Sequence, residues 1–231
     1  MVAHGIPAST LREAQKCGWN KGMTVDEIVR RIGERSRRLA SGLPVPQPPL
    51  GSDFSLNGVV PVPETFRPAA VLVPLVRRAP GVTVLLTQRT EDMPSHAGQI
   101  AFPGGRPQAS DADAVATALR ETEEEVGLAR RFVEVIGAVD HYRTGTGYEI
   151  TPIVGIVTPG FTTRADPREV ADVFEVPLAH FLDETNHRIQ SRLWQGRERR
   201  YYAMPYGERY IWGATAGMLK NLQFVLTAAA D

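Results

Sequence analysis

Hydrophobic and polar positions fall into blocks of two different periods along the 231-residue chain. Ala69 to Val76 and Val82 to Thr87 are short runs of aliphatic and β-branched residues, and Val133 to Val139 and Ile150 to Val157 repeat the pattern, so each predicts a strand. Between the second and third runs the period changes: from Ser110 to Gly127 apolar residues recur every three or four positions, which predicts a helix. Ser110 with Asp113 predicts a capping box at its start, and Gly127 a stop. Thr24 with Glu27 predicts a second capping box. It opens an amphipathic helix whose apolar stripe is Ile28, Val29, Ile32 and Leu39 and whose exposed sides carry Arg30, Arg31, Arg35, Arg37 and Arg38.

Towards the C-terminus, Arg168 to Val170 opens a turn or short helix. Glu198 to Met204 and Glu208 to Trp212 are aromatic-rich and suggest a hairpin through Pro205-Tyr206-Gly207, and Ala214 to Leu226 reads as a final helix. Between Gly42 and Pro68 stand Pro44, Pro46, Pro48, Pro49, Pro61 and Pro63, which remove backbone donors and favour extended chain, as a linker or wrapping arm would. Residues 1–23 show only weak periodicity, and Met23 offers an alternative start. The expected organisation is an N-terminal helix with a Pro-rich arm over 1–67 and one larger domain over 68–231. That domain is expected to be of the α/β (α+β) class, a mixed sheet sandwiched between helices.

The chemistry concentrates on the helix after Gly104-Gly105. At about 100° per residue, Glu121, Glu124 and Glu125 fall near about 0°, 300° and 40°, one face about 100° wide. Ala112, Val115, Ala116, Leu119 and Val126 gather opposite as the stripe to be buried, while only the small Ala114, Thr117 and Ala118 stand beside the acids. Crowded like charges cost energy unless a cation neutralises them. Oxygen donors with no Cys or His pair beside them suit a hard ion, Mg²⁺ or Mn²⁺, rather than zinc. An acidic cluster taken alone is most often a solvated helix face; here a glycine turn and an Arg-Glu pair flank it. Arg120 lies four residues before Glu124, within reach to pair with it and hold its orientation.

Gly104-Gly105-Arg106, then Arg120-Glu121-Thr122-Glu123-Glu124-Glu125-Val126-Gly127-Leu128, resembles the Nudix box, a loop-helix-loop for diphosphate hydrolysis. The segment is one residue longer than the general box. Ala112, between Asp111 and Asp113, therefore stands where the box has its first glutamate, and Thr122 replaces an apolar residue. Upstream, Leu85-Leu86-Thr87-Gln88-Arg89 and His96-Ala97-Gly98-Gln99-Ile100-Ala101-Phe102-Pro103 are similar to the signature of the coenzyme A diphosphatase branch, with Met93-Pro94 where that signature has Leu-Arg. Gly147 to Gly155, Asp166 to Leu178 and Ile211 to Ala216 read like the same branch, so the resemblance covers about residues 68 to 226.

The resemblance implies the Nudix fold and metal-dependent hydrolysis of the diphosphate of coenzyme A or acyl-CoA. The products would be 4′-phosphopantetheine, or its acylated form, and adenosine 3′,5′-bisphosphate. It implies Glu124 and Glu125 as metal ligands, Glu121 as a ligand or general base, the Gly105 carbonyl as a further ligand, and Arg120 in the catalytic set. Arg89, Gln99, Gly104 and Gly105 are expected to meet the nucleotide phosphates. Glu169 is equally a further ligand or a surface acid, His96 is more often structural than catalytic, and Tyr142, Tyr148 and Trp212 are left unassigned. The same chemistry on ADP-ribose, a dinucleotide or a nucleoside triphosphate is the nearest alternative, and a regulatory module that binds a nucleotide without cleaving it is a more distant one.

The remaining composition narrows the partners. Lys and Arg number 26 and Asp and Glu 26, a balance without the footprint of a nucleic-acid binder. Cys17 is the single cysteine, which excludes an internal disulfide and fits a reducing compartment. No apolar run reaches the ~18 residues of a membrane span, so a cytoplasmic location is the default expectation. The arginine-rich helix can pack on the catalytic domain or on a second copy of the chain, which leaves a homodimer open.

Overall fold

The computed structural model describes residues 23–47, 51–57, 64–79, 81–93, 95–194 and 196–228. The weak period before Met23, Cys17, Pro48, Pro49, Pro61, Pro63 and Pro94 lie outside the described residues.

An eight-stranded mixed sheet is organised around β1 (Arg67–Arg78). β1 runs parallel to β7 (Tyr148–Val157), from Arg67 opposite Tyr148 to Val76 opposite Val157. On its other side it is antiparallel to β2 (Gly81–Arg89) and to the two-residue β4 (Gly104–Gly105). β2 carries β3 (Ile100–Ala101) and β8 (Val170–Pro177), and β7 carries β5 (Val133–Ala138) and β6 (Tyr142–Arg143). The seven residues Ala70 to Val76 are buried, the uninterrupted apolar pattern expected of a strand covered on both faces.

Alternation along β1 sends its side chains to two helical layers. Ala70 and Leu72 pack with Ala118 of α2 (Ala114–Val126) and with Ile153. Val71, Val73 and Leu75 pack on the opposite face with Ile28 and Ile32 of α1 (Val25–Ala40) and Leu219, Leu222 and Leu226 of α4 (Ala214–Thr227). The sheet is thus sandwiched between helices. Among the described residues no helix is long and apolar enough to cross a membrane.

Local differences from the sequence reading have identifiable causes. α2 is capped by Asp113, whose carboxylate accepts from Ala116 N at 2.8 Å, and Ser110 stays in the preceding turn. The buried side of α2 is Thr117, Ala118, Thr122, Glu125 and Val126, so part of the acidic face turns inward, while Val115 and Leu119 are only half-buried. In α1, Thr24 caps Glu27 N at 3.2 Å, but the Glu27 carboxylate is drawn to Arg30 and Arg31. Arg35 is buried, not exposed: it forks onto Asp140 at 2.6–2.9 Å and donates to Pro46 O, while Arg38 donates to Pro44 O. These bonds strap the start of the Pro-rich segment to the helix.

The aromatic segment also pairs differently. β10 (Arg197–Ala203) joins β9 (Arg188–Trp194) in a separate two-stranded sheet. The turn at Pro205-Tyr206-Gly207 exists, closed by reciprocal Tyr206–Arg209 backbone bonds, but Glu208 to Trp212 returns only as isolated bridges. Pro205 has no N–H for a longer ladder. After the turn at 167–169 the chain enters β8, then the short α3 (Leu178–Leu182).

Candidate active site

The site is assembled where β4 passes beneath the C-terminal half of α2. Gly104 has φ 154°, and a Cβ there would stand 2.4 Å from Ala70 O and 2.5 Å from Val71 Cα, so only glycine permits this approach to β1. Its N–H donates to Glu125 Oε2 at 3.0 Å. Gly105 faces Glu121, whose Cδ would be 2.6 Å from a Cβ at that position. The two glycines and two glutamates form one compact corner.

The three glutamates are not equivalent. Glu125 is buried, and burial pushes its carboxyl up to about 7; the Gly104 N–H and Arg89 oppose that shift, and Glu121 and Glu169 add to it. Burial also raises Glu121, with Arg120 opposing and Glu124 and Glu169 adding. Glu124 is the most exposed of the three, with its side chain 56 % exposed. One helical face therefore carries two acids turned inward and one at the solvent edge.

Arg120 ties this face together. Its Nη1 donates to Glu121 Oε1 and Glu124 Oε2, each at 3.0 Å, and its Nη2 donates to Arg106 O at 3.1 Å. Nε and Nη2 grip Asp111 at 2.8–3.2 Å. The guanidinium holds the Asp111 carboxyl well below the usual carboxylate range, and Asp111 in turn raises Arg120. Asp111 was legible in sequence only as an acid beside Ala112. Its partner could not be read from helical spacing because it precedes the helix.

Arg89, at the end of β2, places Nη1 3.9 Å from Glu125 Oε1, and its buried Nε has no hydrogen-bond partner among the described residues. Gln99 Oε1 lies 2.9 Å from His96 Nδ1, and His96 has φ 58°, the sole positive-φ non-glycine residue among those described. The structure brings Arg89, His96, Gln99, Gly104, Gly105, Glu121, Glu125 and Glu169 together on the wall of one cleft of about 1170 Å³. Tyr142, Tyr148 and Trp212 also line it; Tyr142 donates to Asp53 at 2.8 Å, and Arg67 and Arg192 stack on Tyr148 and Trp212.

Among the described residues, no three carboxylate, imidazole or thiol side chains converge as a ready-made metal cage. The donors nevertheless fit a hard divalent cation. Burial raises both inward carboxylates and Glu121 adds to the shift of Glu125, a third stands one turn from Glu121, and every donor is oxygen.

The sequence profile of the NUDIX domain matches residues 66–195, more than half of the chain. The uncharacterized Nudix hydrolase NudL of Escherichia coli (strain K12) is 45% identical over 156 residues, covering 68% of this chain and 81% of that protein. NudL of Shigella flexneri is 44% identical over 160 residues, covering 69% and 83%. Among solved structures, a Caenorhabditis elegans Ap4A hydrolase binary complex aligns with TM-score 0.42 and 19% identity over 48% of this chain and 80% of that one. The NUDIX domain of Shewanella oneidensis NrtR complexed with ADP ribose aligns with TM-score 0.40 and 21% identity, covering 52% and 77%. The chain belongs to the Nudix hydrolase family.

Proposed function

We propose that the protein is a Mg²⁺- or Mn²⁺-dependent diphosphatase of coenzyme A or acyl-CoA, releasing 4′-phosphopantetheine or its acyl form and adenosine 3′,5′-bisphosphate. The observation that carries the reaction class is the corner in which Glu121 and Glu125 press against Gly104 and Gly105, inside a cleft large enough for an extended nucleotide. The coenzyme A assignment is supported by the signature-like segments from Leu85 to Arg89 and His96 to Gly105, both of which reach that cleft.

Glu121, Glu124, Glu125 and the Gly105 carbonyl are the residues that would hold the ion, which supplies charge neutralisation at the diphosphate and activates the attacking water. The chain's own groups do the positioning. Gly104 and Gly105, without side chains, let phosphate oxygens come close to backbone. Arg89 offers a buried Nε–H, without a hydrogen-bond partner among the described residues, to a phosphate oxygen. Arg120 fixes Glu121 and Glu124 relative to each other. Water oxygen attacks one phosphorus, the bond from that phosphorus to the bridging oxygen breaks, and the proton passes to a carboxylate of the Glu121–Glu125 face.

The test is a ranking of kcat/KM for coenzyme A, acetyl-CoA, ADP-ribose and a dinucleotide with Mg²⁺ or Mn²⁺. Coenzyme A or its thioester should rank first. A clear preference for ADP-ribose would overturn the substrate and keep the hydrolase, an outcome motivated by Met93-Pro94 in place of a basic residue. Tight nucleotide binding with no turnover under either ion would favour a regulatory module instead.

A further inference from the structure

The far wall of the cleft is built by β9 and β10, which form their own two-stranded sheet. In their register Arg199 lies directly opposite Arg192. Cross-strand neighbours share one face. Alternation puts Tyr201, two residues beyond Arg199, on that same face. Both arginines, Tyr201 and Trp212 line the cleft that holds Glu121 and Glu125.

The neighbours of the pair are aromatic as well as charged. The guanidinium carbon of Arg192 stands 4.5 Å above the Trp212 ring, and Trp212 packs against Tyr201 with centroids 5.1 Å apart and Tyr210 at 6.5 Å. Arg199 reaches towards the turn between β6 and β7, where a Cβ on Gly145 would be 2.7 Å from its Nη1. The acid on this stretch of wall is Asp53, which accepts from Tyr142 OH and Gly145 N and lies beside the same Gly145 position. Arg67 lines the same wall. Paired guanidinium forks beside an aromatic platform suit a dianionic phosphate monoester attached to a nucleoside.

We propose that Arg192 and Arg199, with Tyr201 and Trp212, form a subsite for a second phosphate that is not cleaved, a phosphate monoester on the nucleoside end of the substrate. The inference rests on the reading above that the acidic corner cleaves a nucleoside diphosphate derivative. It adds the residues that set specificity: the diphosphate lies at the Gly104–Glu125 corner, the base meets the aromatic platform, and the monoester is bound by the arginine pair.

Two measurements test it. The first compares kcat/KM for coenzyme A and 3′-dephospho-coenzyme A in the wild-type protein and in R192Q, R199Q and the double variant. Wild type should favour coenzyme A by about tenfold or more, mainly through KM, and the double variant should bring that ratio down by about tenfold. A wild type indifferent to the 3′-phosphate, or a ratio unchanged in the double variant, overturns the subsite. The second is calorimetric titration with adenosine 3′,5′-bisphosphate and with AMP, which needs no turnover. Bisphosphate should bind about tenfold more tightly to wild type than AMP does, and the double variant should lose that difference. If neither coenzyme is hydrolysed but the calorimetric difference appears and vanishes as stated, the substrate reading falls and the subsite stands; equal binding of the two nucleotides by wild type removes the subsite.

Discussion

The carboxylate of Glu121 occupies the space that a side chain on Gly105 would need: a Cβ on Gly105 would lie 2.6 Å from Glu121 Cδ and Oε1. The glycine is therefore required by the acid on the neighbouring helix as much as by the substrate. Gly105→Ala should push Glu121 out of the corner and lower kcat by about 100-fold, the order expected for a displacement of about 1 Å in a catalytic group. The melting temperature should shift by only a few degrees. A variant with near wild-type kcat would show that Glu121 does not work from this position.

Arg120 acts on the reaction through Glu121 and Glu124, and Asp111 acts through Arg120. Asp111→Asn removes the charge that anchors the guanidinium, and Arg120→Lys removes the planar fork. Each should move the Mn²⁺ dependence of turnover to higher concentration, with about 10- to 100-fold more ion needed for half-maximal rate, while circular dichroism stays native. Unchanged metal dependence in both variants would reduce the Asp111–Arg120 pair to a structural role.

The sequence carried more of the fold than of the site. The strands from Ala69, Val82, Val133 and Ile150 and the helices from Thr24 and Ala214 are long, strongly patterned segments, and all six are present. β9 was missed because Arg188-Ile189-Gln190-Ser191-Arg192 has little apolar content, and β10 found its partner there rather than after Pro205. Helical spacing placed the three glutamates on one face but did not show which edge of it is buried; Ala118 and Thr117 pack inward beside Glu121 and Glu125 because small side chains let α2 lie close to the sheet. Ion pairs across long separations, Arg35 with Asp140 and Arg120 with Asp111, have no periodic signature.

Arg35 is buried against Asp140 and also holds the Pro46 carbonyl. Arg35→Ala leaves a largely buried carboxylate without its cation, which should cost about 3 kcal/mol of unfolding free energy. Replacing both partners with Met should cost less than the single change. Urea denaturation of the three proteins checks this, and a loss below about 1 kcal/mol for Arg35→Ala would contradict the anchoring role.

His180 and His187 both lie near Asp183, His187 also near Glu184 and Lys220, and burial lowers both histidines below the ordinary imidazole value. The unfolded chain then binds protons that the folded chain refuses. Unfolding free energy should fall as pH drops below about 6.5 and level off once the folded-state histidines also protonate. His187→Gln, which can still donate to Phe181 O, should flatten the slope over that window. Denaturation curves at about pH 7.5 and about pH 5.5 measure it; equal slopes in variant and wild type would refute it.

The most direct test of the central claim is product analysis after incubation with coenzyme A and Mg²⁺ or Mn²⁺, with a chelator control and with Glu124→Gln alongside. Equimolar adenosine 3′,5′-bisphosphate and 4′-phosphopantetheine from the wild-type protein with metal, and neither product with chelator or from the folded Glu124→Gln variant, is the predicted result. Intact coenzyme A under every metal condition, or undiminished turnover by Glu124→Gln at saturating metal, would contradict it.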